Sequence, residues 1–89
     1  MKRFWVRVYG RVQGVGFRYH TLSKAKLLGI NGFVKNLPDG SVFVDCEGDE
    51  DNLNIFLEFL KEGPSFACVE RCEVEEKSPK GYLDFEIRR

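Results

Sequence analysis

Apolar and polar side chains alternate near the start of the chain with a period of two, which is typical of a strand with one buried face. The two alternating sets are Phe4, Val6 and Val8 against Trp5, Arg7 and Tyr9. Two later β-rich runs, residues 30–37 and 41–47, flank the turn tripeptide Pro38-Asp39-Gly40. Proline presets φ in such a turn and glycine accepts a positive φ, so we predict a hairpin.

Two segments repeat apolar residues every three or four positions, which is the helical period. The first helix is predicted to begin near Phe17 or Arg18 and to end at Gly29, a residue type common at helix C-termini. The second follows the acidic residues 49–51, which suit a helix N-terminus, and ends at Gly63-Pro64. The residues that recur at this spacing are Thr21, Leu22, Ala25 and Leu28 in the first segment, then Leu53, Phe56, Leu57 and Leu60 in the second.

The pattern near the C-terminus predicts a final strand region that is bent or in two parts. We expect a fourth strand at about residues 69–75 and a last strand around Phe85 and Ile87. The element order is then βαββαβ. This order predicts an α+β fold of the ferredoxin-like sandwich type, with two helices on one face of an antiparallel sheet. The 89 residues suit a single domain, residues 1–89.

This topology also predicts where two candidate functional residues lie. Each helix returns the chain antiparallel to the strand before it, so the first two strands run in the same direction. The turn after the first strand and the end of the second therefore lie at one edge of the sheet. We expect Arg18 and Asn36 to meet there.

Charge is balanced overall but not locally. Fourteen basic and fourteen acidic residues cancel, so no long-range field gathers nucleic acid or an anionic membrane, and we expect neither as a partner. Residues 1–26, however, carry seven basic side chains and no acidic one. A local anion site is therefore expected in the N-terminal third.

Three cysteines, Cys46, Cys68 and Cys72, are odd in number and lack the CxxC spacing, and His20 is the only histidine. Neither a disulfide framework nor a zinc site is favoured, and we expect reduced thiols and no bound metal. No long apolar run occurs, and the basic start leads into strand-like alternation. We expect a cytoplasmic protein, and the charged edge strand favours a monomer.

The loop at residues 10–18, GRVQGVGFR, joins a strand to a helix through three glycines. Such a loop lets backbone N–H groups converge on an anion, and the helix N-terminus adds further donors. Arg18 offers a planar fork that matches two phosphate oxygens. A tight connection with a solvated arginine is the structural alternative. The loop is not a Walker loop, because no Gly-Lys-Ser/Thr follows, and it is not a dinucleotide fingerprint, because Tyr19 stands at the third glycine position.

The run GRVQGVGFR, followed by NGFVKN at residues 31–36 and then by an Asp-Gly turn, resembles the signature of the acylphosphatase family. The similarity extends from the first strand to the final FEI. It implies a ferredoxin-like fold, hydrolysis of acyl phosphates to a carboxylate and inorganic phosphate, and no metal or organic cofactor. It also implies a water oriented by Asn36 and phosphate binding by the Arg18 guanidinium and the loop amides of Gln13, Gly14, Val15, Gly16, Phe17 and Arg18.

Several alternatives stay open at the level of sequence. Asn36 could bond the backbone of the following turn instead of a water. Aromatic residues on the open face of such a sheet could stack RNA bases, and the candidates are Trp5, Tyr9, Phe33 and Phe43. A relative without activity could serve as an interaction domain. His20 falls about 200° from Arg18 around the helix, so we expect it to lie away from the site.

Overall fold

The computed structural model describes residues 1–89 and consists of one five-stranded sheet with two helices. The elements are β1 Lys2–Arg11, α1 Phe17–Leu28, β2 Asn31–Asn36, β3 Val42–Gly48, α2 Glu50–Glu62, β4 Cys68–Lys77 and β5 Phe85–Arg88. Neither helix combines the length and the apolar composition that a membrane crossing requires.

The strands are ordered β4-β1-β3-β2-β5, and the first four pair antiparallel. The ferredoxin-like fold is therefore confirmed. β5 instead adds parallel to β2, through pairs such as Gly32 with Phe85. The two pieces of the expected final strand region thus lie at opposite edges of the sheet, since the segment between them, residues 78–84, crosses its open face.

The core forms where the apolar faces of the sheet and helices meet. α2 buries the predicted stripe of Leu53, Phe56, Leu57 and Leu60, and α1 buries Phe17, Thr21 and Ala25, which are spaced four apart. The hydroxyl of Thr21 donates to the Phe17 carbonyl oxygen at 2.8 Å, so this buried polar group is satisfied. The strands contribute the alternate residues Val6, Val8, Val34, Val42, Val44 and Cys46.

Two carboxylates of β3 are buried on the face of the sheet away from the helices. Asp45 receives two hydrogen bonds from Arg3, at 2.7 and 2.9 Å, and one each from the Trp5 indole and the Tyr82 hydroxyl. Burial by itself raises the pKa of Asp45, but these donors lower it below its ordinary value. The ion pair with Arg3 therefore stays charged at neutral pH and ties β1 to β3.

Glu47 fixes the segment that connects β4 to β5. Its carboxylate is buried and accepts hydrogen bonds from the backbone N–H groups of Lys80, Gly81 and Tyr82. Burial acts to raise the pKa of Glu47, yet the three backbone donors lower it below the ordinary 4.5. Three backbone groups that would otherwise depend on water are thus satisfied by one side chain.

We expect Glu47→Gln to lower the free energy of unfolding at pH 7 by about 2 kcal/mol, because an amide cannot accept three charge-assisted hydrogen bonds. Since the folded pKa lies below 4.5, the carboxylate stabilises the fold above that value, and this stabilisation is lost as the pH falls through the folded pKa. Urea unfolding at pH 7 and pH 3 measures the difference. The difference should be smaller at pH 3 than at pH 7, and an equal difference at both pH values would contradict this role; exposed Glu86→Gln is the control.

Candidate active site

The register of the central strand brings two distant segments to one edge of the sheet. Val42 of β3 pairs with Val8 of β1 on one side and with Asn36 of β2 on the other. β1 and β2 both run antiparallel to β3, so they run in the same direction as each other. The loop that follows β1 and the end of β2 therefore lie side by side, as the topology predicted.

The loop between β1 and α1 turns through two glycines in the left-handed region, Gly14 at φ 75° and Gly16 at φ 76°. Residues with a Cβ adopt this conformation only at a cost, so glycine is the residue type that suits both positions. Gly16 is also the N-cap of α1, where no side chain caps the first turn and no acidic residue follows. In contrast, α2 is capped by Asp49 and begins with acidic residues.

The N-terminus of α1 therefore keeps its backbone donors and its positive end free of the chain's own carboxylates. Helix ends with this arrangement bind phosphate and other anions, because unpaired N–H groups converge there and the helix dipole favours negative charge. The sequence-level expectation of an anion site in the N-terminal third is consistent with this geometry.

A cavity of about 230 Å³ opens between this helix end and the end of β2. Its lining residues are Val12, Gly14, Gly16, Phe17, Arg18, Tyr19 and Asn36. Five of the seven residues proposed for the site from the sequence are thus brought together. The other two do not line the cavity: the Gln13 side chain bonds the β2–β3 turn, and Val15 packs against the core.

Arg18 is half-buried and takes part in none of the eight ion pairs of the molecule. Its charge is therefore not neutralised by a protein carboxylate. Arg3 and Arg7, by comparison, are each 2.7 Å from an aspartate. An unpaired guanidinium beside uncapped helix donors is suited to a doubly charged oxyanion.

Asn36 has a side-chain oxygen, Oδ1, that is buried and has no hydrogen-bond partner. A buried acceptor in this state is unfavourable by about 1–3 kcal/mol. The alternative in which Asn36 closes the following turn does not occur, because Asp39 accepts the Ser41 backbone N–H instead. The side-chain amide can rotate about its last bond and present either its oxygen or its NH₂ to the cavity.

Two residues in the lining were not predicted, namely Val12 and Tyr19. Both adjoin predicted residues in the chain, and the first helical turn carries Tyr19 past the cavity mouth, where it is 69 % exposed. Helical geometry at the N-terminus could have indicated Tyr19, whereas the inward turn of Val12 depends on the loop conformation. His20 is exposed and absent from the lining.

The open face of the sheet carries a second, shallower concavity of about 570 Å³, lined in part by Trp5, Phe43, Glu73 and Glu75. Aromatic rings do lie on this face, as a base-stacking platform requires. However, the chain's own cations cover them: the Lys77 ammonium lies 4.0 Å from the Trp5 ring centroid and also pairs with Glu75. Of the residues that line the concavity, only Arg7 is basic, and it pairs with Asp39, whereas Glu73 and Glu75 are acidic. This charge pattern disfavours binding of a nucleic acid there.

No group of three or more His, Cys, Asp or Glu side chains is arranged to hold a metal ion. The cavity lining contains no carboxylate, thiol or imidazole. Its polar groups are instead the guanidinium of Arg18, the amide of Asn36, the hydroxyl of Tyr19 and the backbone of the loop. Such a lining provides hydrogen-bond donors for an anion but no set of metal ligands.

Known proteins resemble this chain along nearly its whole length. The family model described as Acylphosphatase matches residues 4–87. An acylphosphatase of Thermotoga petrophila is 52 % identical over 88 residues, which cover 99 % of this chain and 98 % of the relative.

Two solved structures also superpose closely on the fold. The acylphosphatase of Bacillus subtilis has a TM-score of 0.96 and 40 % identity, with full coverage of both chains. That of Coxiella burnetii has a TM-score of 0.93 and 40 % identity, covering 98 % of this chain and 92 % of that one. The chain belongs to the acylphosphatase family, whose function is the hydrolysis of acyl phosphates.

Proposed function

We propose that this chain hydrolyses acyl phosphates with the phosphoryl group held by the loop amides of residues 13–18 and by the Arg18 guanidinium, while Asn36 orients the attacking water. One observation carries the proposal: a single cavity is lined by an unpaired arginine, an uncapped helix N-terminus and an asparagine without a hydrogen-bond partner.

The phosphoryl group brings a negative charge that the cavity can meet without a metal. As water attacks phosphorus, charge shifts over the three equatorial oxygens. The donors of the loop and of Arg18 are fixed by the fold before substrate arrives, so little reorganisation is needed when that charge develops. Electrostatic preorganisation of this kind is the main source of rate acceleration in the proposed site.

Asn36 cannot act as a base, because an amide does not titrate. It can accept one hydrogen bond from water and donate another, which holds the water in line with the bond that breaks. The water oxygen forms a new bond to phosphorus, and the bond from phosphorus to the acyl oxygen breaks. The carboxylate leaves with that electron pair, and a phosphate oxygen accepts the proton of the water.

An acyl phosphate needs little help with its leaving group, since a carboxylate is a stable anion at neutral pH. The site therefore requires positioning and charge stabilisation rather than a strong acid or base. This matches a cavity whose lining includes no titratable carboxylate or imidazole.

We further propose a cytoplasmic monomer whose partners are the acyl phosphate and inorganic phosphate as product and inhibitor, without nucleic acid. Its cysteines, Cys46, Cys68 and Cys72, are unbridged, which suits a reducing compartment. Edge strand β4 exposes Glu73, Glu75 and Glu76, whose charges disfavour pairing with another chain.

Arg18→Ala should lower kcat/KM for benzoyl phosphate by about 10²- to 10³-fold, the loss typical of one donor that stabilises a developing oxyanion. Inhibition by inorganic phosphate should be lost as well. Arg18→Lys should recover only part of the rate, because an ammonium lacks the planar fork. Arg11→Ala, which removes the same charge from an exposed site, should keep near-normal kinetics. Equal losses in both alanine variants would point to net charge instead.

Asn36→Ala should lower kcat by about 10²-fold while the inhibition constant for phosphate changes little, because positioning of the water is lost and anion binding is not. The matched control is Asn31→Ala at the other end of β2, where the side chain bonds the Tyr82 carbonyl oxygen at 3.0 Å. Steady-state kinetics with benzoyl phosphate test both. Normal kcat in Asn36→Ala would remove this residue from the mechanism.

Hydrolysis of benzoyl phosphate should continue at an unchanged rate in excess EDTA, a chelator that would remove a divalent ion if the reaction needed one. The charge of the phosphoryl group is met by Arg18 and backbone donors, so no cation is required. Loss of activity in EDTA, with recovery on adding Mg²⁺ or Zn²⁺, would contradict a metal-independent mechanism.

A further inference from the structure

Gln13 lies in the loop that leads to Arg18, yet its side chain does not line the cavity. The half-buried amide nitrogen, Nε2, donates to the Leu37 carbonyl oxygen at 2.8 Å and to the Ser41 carbonyl oxygen at 2.9 Å. Both N–H bonds of the amide are thereby used. The acceptors are 24 and 28 residues further along the chain, in the turn that joins β2 to β3.

These two carbonyl groups are the ones that close the turn. The Leu37 N–H donates to the Ser41 carbonyl oxygen at 2.9 Å, and the Gly40 N–H donates to the Leu37 carbonyl oxygen at 3.1 Å. Each oxygen thus accepts one hydrogen bond within the turn and a second from Gln13. A carbonyl oxygen has two lone pairs, so both can be satisfied at once.

Leu37 directly follows Asn36, and Gln13 precedes the cavity-lining Gly14. The hydrogen bonds of Gln13 therefore connect the segment that carries Arg18 to the segment that carries Asn36 at the point where the two meet. We propose that Gln13 is a positioning residue that sets the distance between the phosphoryl group and the water held by Asn36. This inference rests on the proposed roles of Arg18 and Asn36.

The chemistry of this contact favours glutamine. Methionine has a similar length but no donor, and a glutamate carboxylate would face two carbonyl oxygens with like partial charge. Removing the amide leaves both carbonyl groups paired within the turn, so the hairpin keeps its own hydrogen bonds. The variant should therefore uncouple the two halves of the site without unfolding the chain.

The first test compares Gln13→Met with wild type in hydrolysis of benzoyl phosphate. We expect kcat to fall by about 10- to 100-fold, because displacements of about 1 Å in a reacting group carry losses of this size. The inhibition constant for inorganic phosphate should stay within about twofold, since Arg18 and the loop amides lie on one segment. Glu47→Gln controls for stability, because it weakens the fold at the far end of β3 and should keep a normal kcat.

The second test uses Gln13→Glu across about pH 4 to 8, a range that includes the ordinary glutamate pKa of about 4.3 and the higher pKa expected beside two carbonyl oxygens. A protonated carboxyl can donate one hydrogen bond to the turn, whereas the carboxylate repels it. The ratio of kcat in this variant to kcat in Gln13→Met should therefore rise as the pH falls. The charged groups at the turn are Asp39 and Arg7; hydrogen bonds from Ser41 lower the pKa of Asp39 to about 2, so Asp39 does not titrate in this range.

Different results would contradict the role of Gln13 and the proposed site itself. If Gln13→Met keeps wild-type kcat, or if kcat and phosphate inhibition are lost together, Gln13 is not a positioning residue. A pH-independent ratio between the two variants would also overturn the proposal. If instead Arg18→Ala and Asn36→Ala are fully active, the proposed site itself is wrong, whatever the result at Gln13.

Discussion

The pairing of β3 with strands on both sides is the constraint on which the rest of the molecule depends. Because β1 and β2 each pair antiparallel with β3, they run in parallel and end at the same edge. The N-terminal part of β3 lies beside the candidate site, and its C-terminal part holds Asp45 and Glu47. The candidate site and the buried carboxylates that connect the segments of the open face therefore lie at opposite ends of the same strand.

Much of the fold follows from local patterns. Alternation at Val6 and Val8 and the stripe from Leu53 to Leu60 are set by one buried face, so the sequence is enough to predict β1 and α2. The sequence does not predict that β4 and β5 lie at opposite edges of the sheet, because the place of an edge strand depends on which strand it pairs with. β4 also has little buried surface, and its pattern is correspondingly weak. From the sequence, Asp45 and Glu47 would be predicted to face solvent. In the structure they are buried, because residues distant in sequence, such as Tyr82, cover them.

The candidate site, like the fold, has a part that the sequence predicts and a part that it does not. Gly14, Gly16 and Arg18 could be predicted because a glycine-rich loop before a helix has a local physical meaning, and the strand order then brings Asn36 to it. The direction in which each side chain of the loop points could not be predicted from the sequence. The sequence predicts Gln13 among the phosphate-binding backbone amides but does not predict that its side chain bonds the β2–β3 turn. That contact depends on the packing of two segments far apart in sequence.

The uncapped start of α1 has a thermodynamic consequence. Most helices complete their first turn with a side chain of their own, as α2 does with Asp49, but α1 begins at a glycine that offers none. An anion bound at this end would take the place of that side chain. Ligand occupancy and helix stability would then be linked by mass action, so that the product of one turnover reinforces the structure required for the next.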